Sequence, residues 1–566
     1  MENATNCPTT QNSISPLVLT ELLDHLRQTH IPMHSLHIVL SGHTELEAYY
    51  APCQKGRLHR MFSVSKNLTA LAVLKLCETG FLALDDPICR YFPEYVNGDT
   101  HPWIKMTTVR NMLMMRSCHA STTYKFDMSR DWVESFFTVR PTHKPGTVFH
   151  YDTSSTHTLC ALAEKLSGRP MLDYLKDVML REMGWSEESY MLTDPFGHSM
   201  GGSGLMTTPE DLVLLGRFLM QAGTWNGKEL LRKDLLAQAL AWQSATAVTG
   251  PIPAECQGYG YSFWRGEHDA LVCYGMGGQL ILCYPALELL VVTTADTQGM
   301  QGANQLLYDA VHRILLPRLQ DGSGEYGVSE DDRQRLRERI ARLRMEPISH
   351  TFSQSCSPSL RNSILSLRNG NSSRGGSLSP HSGSLAPYSG SLAPHSGNLV
   401  PQDDSSSLQG DIPLSRGGAE LADRLSREES FLDSRTDGPR IRGTVYRIQG
   451  DSPFTELCLE LASGSGTLCY TLGDVSCRLP FGLDEVIPCH FPVYDMFCAS
   501  SGMWLDEHTF YIRTHLLDTS VGSIHFQLYF GEDDVTVFMK KQEENLFAEY
   551  SGHLYGLQTP GQDSHD

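Results

Sequence analysis

A Ser/Gly/Pro-rich tract at roughly residues 351–437 cuts the 566-residue chain into two parts with different hydrophobic periods. Between Pro380 and Val400 it runs through an imperfect heptad, PHSGSLA, PYSGSLA and PHSGNLV. Proline and glycine recur in every copy, so the period is not that of a coiled coil. Such a composition buries too little apolar surface to offset chain entropy, and a disordered linker is expected. Whatever folds must therefore do so on either side of it.

The N-terminal part, residues 16–320, alternates strand and helix signals. PLVLTELLDHLRQ, from Pro16, has helical spacing; SLHIVLSG, from Ser35, and ELEAYYA, from Glu45, read as strands joined by a turn containing glycine. Lys66–Thr79 reads as a helix capped by Gly80, and Pro209–Gln221 and Ala303–Leu316 as amphipathic helices. YGYSFW, LVCYGM, QLILCYP and LELLVVTT crowd four strands between Tyr259 and Thr294. Strands at both ends and helices between them predict a sheet closed by both ends of an α/β domain, of α+β type. SEDDRQRLRERIARLR, within a connecting segment over 321–350, is a charged helix with a capping box at Ser329 and Asp332. After the linker, residues 438–558 switch to period-two alternation in TVYRI, ELCLEL, TLCYTL, TFYIRTHLL, SIHFQLYF and DVTVFMKK. This predicts a separate antiparallel β domain. Residues 1–15 and 559–566 are expected to be an unstructured N-terminus and a tail.

Several function classes fall away on composition. A net charge of -20 disfavours nucleic acid, whose recognition needs a basic footprint. No apolar run is long enough for a membrane span. The opening MENATNCPTTQNSISP is polar and lacks the basic and apolar regions of a secretory leader, so a cytoplasmic location is expected. Fifteen cysteines, scattered singly, form neither a disulfide framework nor a zinc pattern, and reduced thiols fit best. None of the 23 histidines forms an HExxH or similar cluster, and no cofactor or metal is expected.

The chemistry centres on Phe62-Ser63-Val64-Ser65-Lys66, which holds the chain's only SxxK. The apolar helix that follows places Ser63 at its N-terminus, where backbone N–H groups favour developing negative charge. Lys66, three residues on, shares a helix face with Ser63. A serine hydroxyl needs a base to become a nucleophile, and a desolvated lysine can serve as one. Without further context Ser63 reads equally well as a helix cap and Lys66 as a solvated first-turn residue.

FSVSK and then ETGFLALDDPICRYFPEY resemble the active-site helix and following segment of the class C β-lactamase and penicillin-binding-protein-like serine hydrolases, with their D-amino-acid peptidase and esterase relatives. TTVRNMLMM from Thr107, KPGTVFHYDTSSTHTLCALAEKLSG from Lys144, GGSGLMTTPEDL from Gly201 and YGMGGQ from Tyr274 resemble that family's later landmarks in the same order. The resemblance spans residues 16–316. It implies an antiparallel sheet flanked by helices with an all-helical subdomain, plus a β-rich C-terminal extension seen on some bacterial members. It implies Ser63 as nucleophile, Lys66 as its partner, and Tyr151 as a second general base with a pKa lowered by the lysine. It also implies an oxyanion hole of the Ser63 and Gly278 backbone N–H groups, with Gly275, Gly277 and Thr153 in substrate contact.

Two positions depart from the family pattern. Thr153 stands where an asparagine is usual, removing an amide that both donates and accepts. Gly275 stands where the strand motif carries a histidine or lysine, which weakens any claim on a carboxylate-bearing substrate such as a penicillin. The expected function is hydrolysis of a small ester, amide or short peptide through an acyl-enzyme, with self-association into a homo-oligomer. The alternative is a catalytically weakened hydrolase fold acting as a binding or scaffold module. Gly197-His198-Ser199-Met200-Gly201 matches the GxSxG nucleophile elbow, but lacks the helix that must follow at once and reads as a glycine-rich loop. His150, beside Tyr151, reads as a loop histidine.

Overall fold

The computed structural model describes residues 13–300, 302–320, 329–348, 443–543 and 546–559. The predicted linker and both predicted termini lie largely or wholly outside them. The described residues belong to one unit that includes both the N-terminal part and the C-terminal β domain.

Strands Met33–Leu40 (β1) and His43–Tyr49 (β2) join Trp264–Arg265 (β3), Leu271–Gly275 (β4), Gln279–Tyr284 (β5) and Leu289–Ala295 (β6). The sheet order is β2-β1-β6-β5-β4-β3, so the first and last strand pairs of the domain meet at its centre. Ile38 pairs with Val291, which also pairs with Leu282. Every residue of β1, β5 and β6 is buried, as expected of strands covered on both faces.

One face is covered by helix Pro16–Gln28 (α1) and by a helix that begins at Ala303–Ala310, passes through a π-helical stretch at Val311–Leu315 and continues to Gln320. The other face meets the helical subdomain. Its centre is Ser65–Glu78 (α2), packed against Thr153–Ser167 (α3), and Pro209–Met220 (α4) packs on the sheet, with Gly216 against Leu290 and Ile281. Almost all of α2 is buried, including Lys66 and Asn67, so its faces cannot be sorted by an amphipathic pattern. The predicted capping box of Ser329 and Asp332 opens helix Glu330–Ala341 (α5).

Most expected elements form within a residue or two of their predicted bounds. YGYSFW is the exception: only Trp264 joins a strand, and the preceding residues bend, with Ser262 in the left-handed region.

Among the described residues the C-terminal domain has ten strands: Val445–Ile448 (β7), Phe454–Ala462 (β8), Ser465–Leu472 (β9), Val475–Gly482 (β10), Ile487–Phe491 (β11), Met496–Trp504 (β12), Thr509–Leu517 (β13), Val521–Phe530 (β14), Asp534–Gln542 (β15) and Gly552–Gln558 (β16). The order is β10-β9-β8-β7-β16-β15-β14-β13-β12-β11, and a parallel bridge from Gly482 to Ser501 closes nine of them into a barrel-like ring. β10, β11, β12 and β16 were not anticipated. Pro480 and Pro488 interrupt two of them, and proline reads as a strand breaker. The small-residue run CASSG hides β12.

No helix among the described residues is long and apolar enough to cross a membrane. The thirteen cysteines described are free thiols.

Candidate active site

The chain reaches Ser63 through a strained turn. Met61 N donates to the Leu205 carbonyl at 2.8 Å, and Phe62 adopts the left-handed region at φ 43°. For a bulky residue that conformation costs of order 1–3 kcal/mol and persists only where neighbours impose it. Here Ser65 does so: its hydroxyl donates to the Phe62 carbonyl at 2.5 Å and accepts from Leu205 N at 2.9 Å. Ser63 thus sits in the turn just before α2 and is partly exposed, while Lys66 on the first turn is 1% exposed.

The Lys66 amine donates to Ser63 Oγ at 2.9 Å and to the Gly202 carbonyl at 2.7 Å. It also lies 4.8 Å from the centre of the Tyr151 ring. Ser63 is close enough to the Tyr151 phenol to act on it as a hydrogen-bonding neighbour. The three predicted groups therefore converge on one point.

One expectation is reversed. Burial, reinforced by the neighbouring Tyr259 phenol, pushes the Tyr151 pKa well above the ordinary tyrosine value, and the Ser63 hydrogen bond offsets this only in part. Proximity to Lys66 does not lower it as the sequence reading supposed. Tyr151 is a protonated phenol at neutral pH.

Tyr151 is held by groups the sequence reading did not single out. Trp264 stacks on its ring at 5.6 Å with an interplanar angle of 23°, and Tyr259 meets it edge-on at 6.3 Å. The next residue, Asp152, is fully buried and caps α3 by accepting from the backbone of Ser154 and Ser155. It also accepts from the hydroxyls of Ser154, Ser155 and Ser117, so the carboxylate is saturated without a counter-ion. The His150 ring lies 5.0 Å from that of His143.

The glycine-rich loop after Gly201 lies between α2 and α3. A Cβ on Gly201 would fall 2.2 Å from Cys160 Cβ, and one on Gly202 would fall 2.3 Å from Thr153 Cγ2. Only glycine lets this loop bring its carbonyl to Lys66. Ser199, in the GxSxG decoy, is buried, forms an isolated bridge to Thr193, and no helix follows until Pro209.

Gly275 ends β4 directly against the nucleophile turn: a Cβ there would fall 2.3 Å from the Met61 carbonyl oxygen. Gly277 and Gly278 follow in left-handed conformation, at φ 86° and 92°. The Gly277 carbonyl accepts from Thr297 N at 3.1 Å and the Gly278 carbonyl from the Thr293 hydroxyl at 2.8 Å. Thr153 N is bonded to the Thr122 hydroxyl at 3.1 Å.

The barrel touches this region. Arg60, three residues before Ser63, donates to the carbonyls of Ser203 and Thr519 at 3.2 and 3.1 Å, and the Gln298 amide donates to the Val521 carbonyl at 2.7 Å. Glu255, 1% exposed, has no hydrogen-bond partner for either carboxyl oxygen among the described residues. Burial raises its pKa to about 8, and once ionised above that pH it adds to the upward push on Tyr151. No group of three or more His, Cys, Asp or Glu side chains among the described residues is arranged to hold a metal ion.

Fold and site together define the class: a serine-hydrolase fold in which the serine is partnered by a lysine. More particularly, residues 19–315 match the family model described as Beta-lactamase, and the chain belongs to that family. The 6-aminohexanoate-dimer hydrolase of Paenarthrobacter ureafaciens is 24% identical over 306 residues, covering 49% of this chain and 78% of that relative. Protein flp of Staphylococcus aureus (strain NCTC 8325 / PS 47) is 24% identical over 210 residues, covering 32% of this chain and 41% of its own length. Among solved structures, the octameric penicillin-binding protein homologue from Pyrococcus abyssi aligns with 95% of this chain and 99% of its own, at 13% identity and a TM-score of 0.42.

Proposed function

We propose that the protein hydrolyses a small ester or amide through an acyl-enzyme on Ser63. The observation that carries this reading is the 2.9 Å contact between the Lys66 amine and Ser63 Oγ, with the same amine held at 2.7 Å by the Gly202 carbonyl. Ser63 Oγ attacks the substrate carbonyl as its proton passes to Lys66, acting in its neutral form. The protonated Tyr151 phenol then delivers a proton to the leaving alcohol or amine and recovers one from Lys66. Water releases the acyl group by the reverse transfers. The developing oxyanion is stabilised by the backbone N–H groups of Ser63 and Gly278.

Thr153, Gly275 and Gly277 are the proposed substrate contacts. Gly275 brings no cation, so uncharged acyl groups suit the site better than a penicillin carboxylate. One relative is named for hydrolysis of a 6-aminohexanoate dimer, in keeping with a small acyl substrate.

A panel of p-nitrophenyl esters, D-amino-acid anilides and a chromogenic β-lactam tests the reading. Turnover of the esters or anilides is expected, and Ser63→Ala and Lys66→Ala should each lower it by orders of magnitude. Turnover of every substrate unchanged in Ser63→Ala would overturn it.

A further inference from the structure

A cavity of about 920 Å³ lies away from Ser63, where the hydrolase domain, α5 and the barrel meet. This is within the range of small-molecule sites, about 300–1,000 Å³. One wall is the end of α1 and the start of β1. The opposite wall is the strap from Arg342 to Pro347, fixed to both domains: Met345 N donates to the Ala51 carbonyl at 2.9 Å, and an Arg513 guanidinium N–H donates to the Glu346 carbonyl at 3.3 Å.

The charge on this lining runs against that of the chain. Five arginines, at 27, 339, 342, 344 and 513, face two carboxylates, Asp24 and Glu346, in a protein whose net charge is -20. Arg27 is spent on Glu346 at 2.5 Å and Arg339 on Asp24. Arg342 and Arg344 are exposed and have no ion-pair partner among the described residues. The lining also has an apolar part, with half-buried Pro32, Leu343 and Pro347 at its surface and buried Leu23, Leu26, Met33 and Met345 beneath them. A second observation points inward: Tyr50, 6% exposed and part of the same lining, has a hydroxyl with no hydrogen-bond partner among the described residues. A buried hydroxyl without a partner is costly to keep.

We propose that this cavity binds a single-chain anionic amphiphile, its carboxylate or phosphate head held by Arg342, Arg344 and the Tyr50 hydroxyl and its chain lying on Pro32, Leu343 and Pro347. The apolar surface selects for a chain and the unpaired guanidinium groups select for the anion, so neither inorganic phosphate nor a neutral alcohol satisfies both. The site is independent of Ser63 chemistry. Because its walls come from both domains, its ligand also braces the barrel against the hydrolase domain.

Calorimetric titration of the full-length protein tests this with decanoate, decyl phosphate and decanol, each below its micellar concentration. Saturable binding of decanoate or decyl phosphate at one site per chain is expected, the two arms deciding which head group is preferred. Binding should weaken at high salt. Arg342→Glu combined with Arg344→Glu should lower the affinity at least tenfold while leaving ester turnover unchanged. Tyr50→Phe, which removes only the hydroxyl, should lower it about two- to tenfold, the worth of one hydrogen bond. Equal binding of decanol, absence of saturable binding by either anion, or affinity unchanged by the double charge reversal would overturn the assignment.

Discussion

Replacing Gly202 with alanine is the sharpest test of how the lysine is held. The added methyl would lie 2.3 Å from Thr153 Cγ2 and 3.3 Å from the Thr153 carbonyl oxygen. Carbon atoms settle at about 3.5–4.0 Å, so the loop must retreat by about 1 Å. The Gly202 carbonyl, now 2.7 Å from the Lys66 amine, then leaves hydrogen-bonding range. A buried donor without its acceptor costs about 1–3 kcal/mol, a factor of about 5 to 150 in rate if the loss falls on the transition state. Overpacking costs a further 1–3 kcal/mol or so of stability. Thr153→Ser removes the offending Cγ2 and nothing else, so Gly202→Ala/Thr153→Ser should recover most of both losses. The assay is p-nitrophenyl ester turnover, or the rate of labelling by a fluorophosphonate, read beside thermal unfolding for the four members of the cycle. Full activity in Gly202→Ala, or no recovery in the folded double variant, would refute the argument that glycine is required here to seat Lys66.

Other outcomes follow from groups around the site. Glu255, raised to about 8 by burial, stays protonated in the fold while the unfolded carboxyl ionises above about 4.5, so its contribution is present at low pH and is lost as pH rises toward 8. Glu255→Gln should therefore be more stable at pH 7 by about 3 kcal/mol and show a flatter profile between pH 5 and 8 in urea unfolding; equal stability at pH 7 would contradict this. His59, buried and bonded to His34 at 2.9 Å, is lowered to about 4 and stays neutral in the fold, whereas the unfolded imidazole takes a proton below about 6.5. Stability should fall from pH 6.5 toward 4, by about 2 kcal/mol at pH 5, with a smaller loss in His59→Asn; an identical acid loss in both proteins would sink the assignment. Trp264→Leu removes the ring stacked on Tyr151 and should slow turnover about three- to tenfold, the worth of an aromatic pair, with KM little changed; an unaltered rate would show that the stack does not position the phenol.

The sheet, its closure by both ends of the domain and the SxxK centre were legible because each rests on short-range signals: strand alternation, helix caps, and residue spacing within one helical turn. Ser63 and Lys66 are three residues apart, so their contact follows from helix geometry alone. Tyr151 was placed only through an ordered resemblance, since nothing local distinguishes it from the chain's other tyrosines. Its raised pKa was not legible. That depends on Tyr259 and burial brought in from a distant part of the chain, and the nearby lysine does not decide it. Trp264 was read as part of a strand, although its face is used to stack Tyr151. Asp152 and Ser65 were passed over because buried polar residues that satisfy backbone groups leave no periodic trace. In the barrel, prolines and small residues concealed four strands whose pairing is fixed by neighbours on both sides.

The most direct measurement is the site of covalent modification by a fluorophosphonate, located by tandem mass spectrometry on the full-length protein. The account predicts a single adduct on Ser63, absent in Ser63→Ala and formed far more slowly in Lys66→Ala and Tyr151→Phe. A folded wild type that takes no label, or one that takes it on Ser199 or another serine, would contradict it.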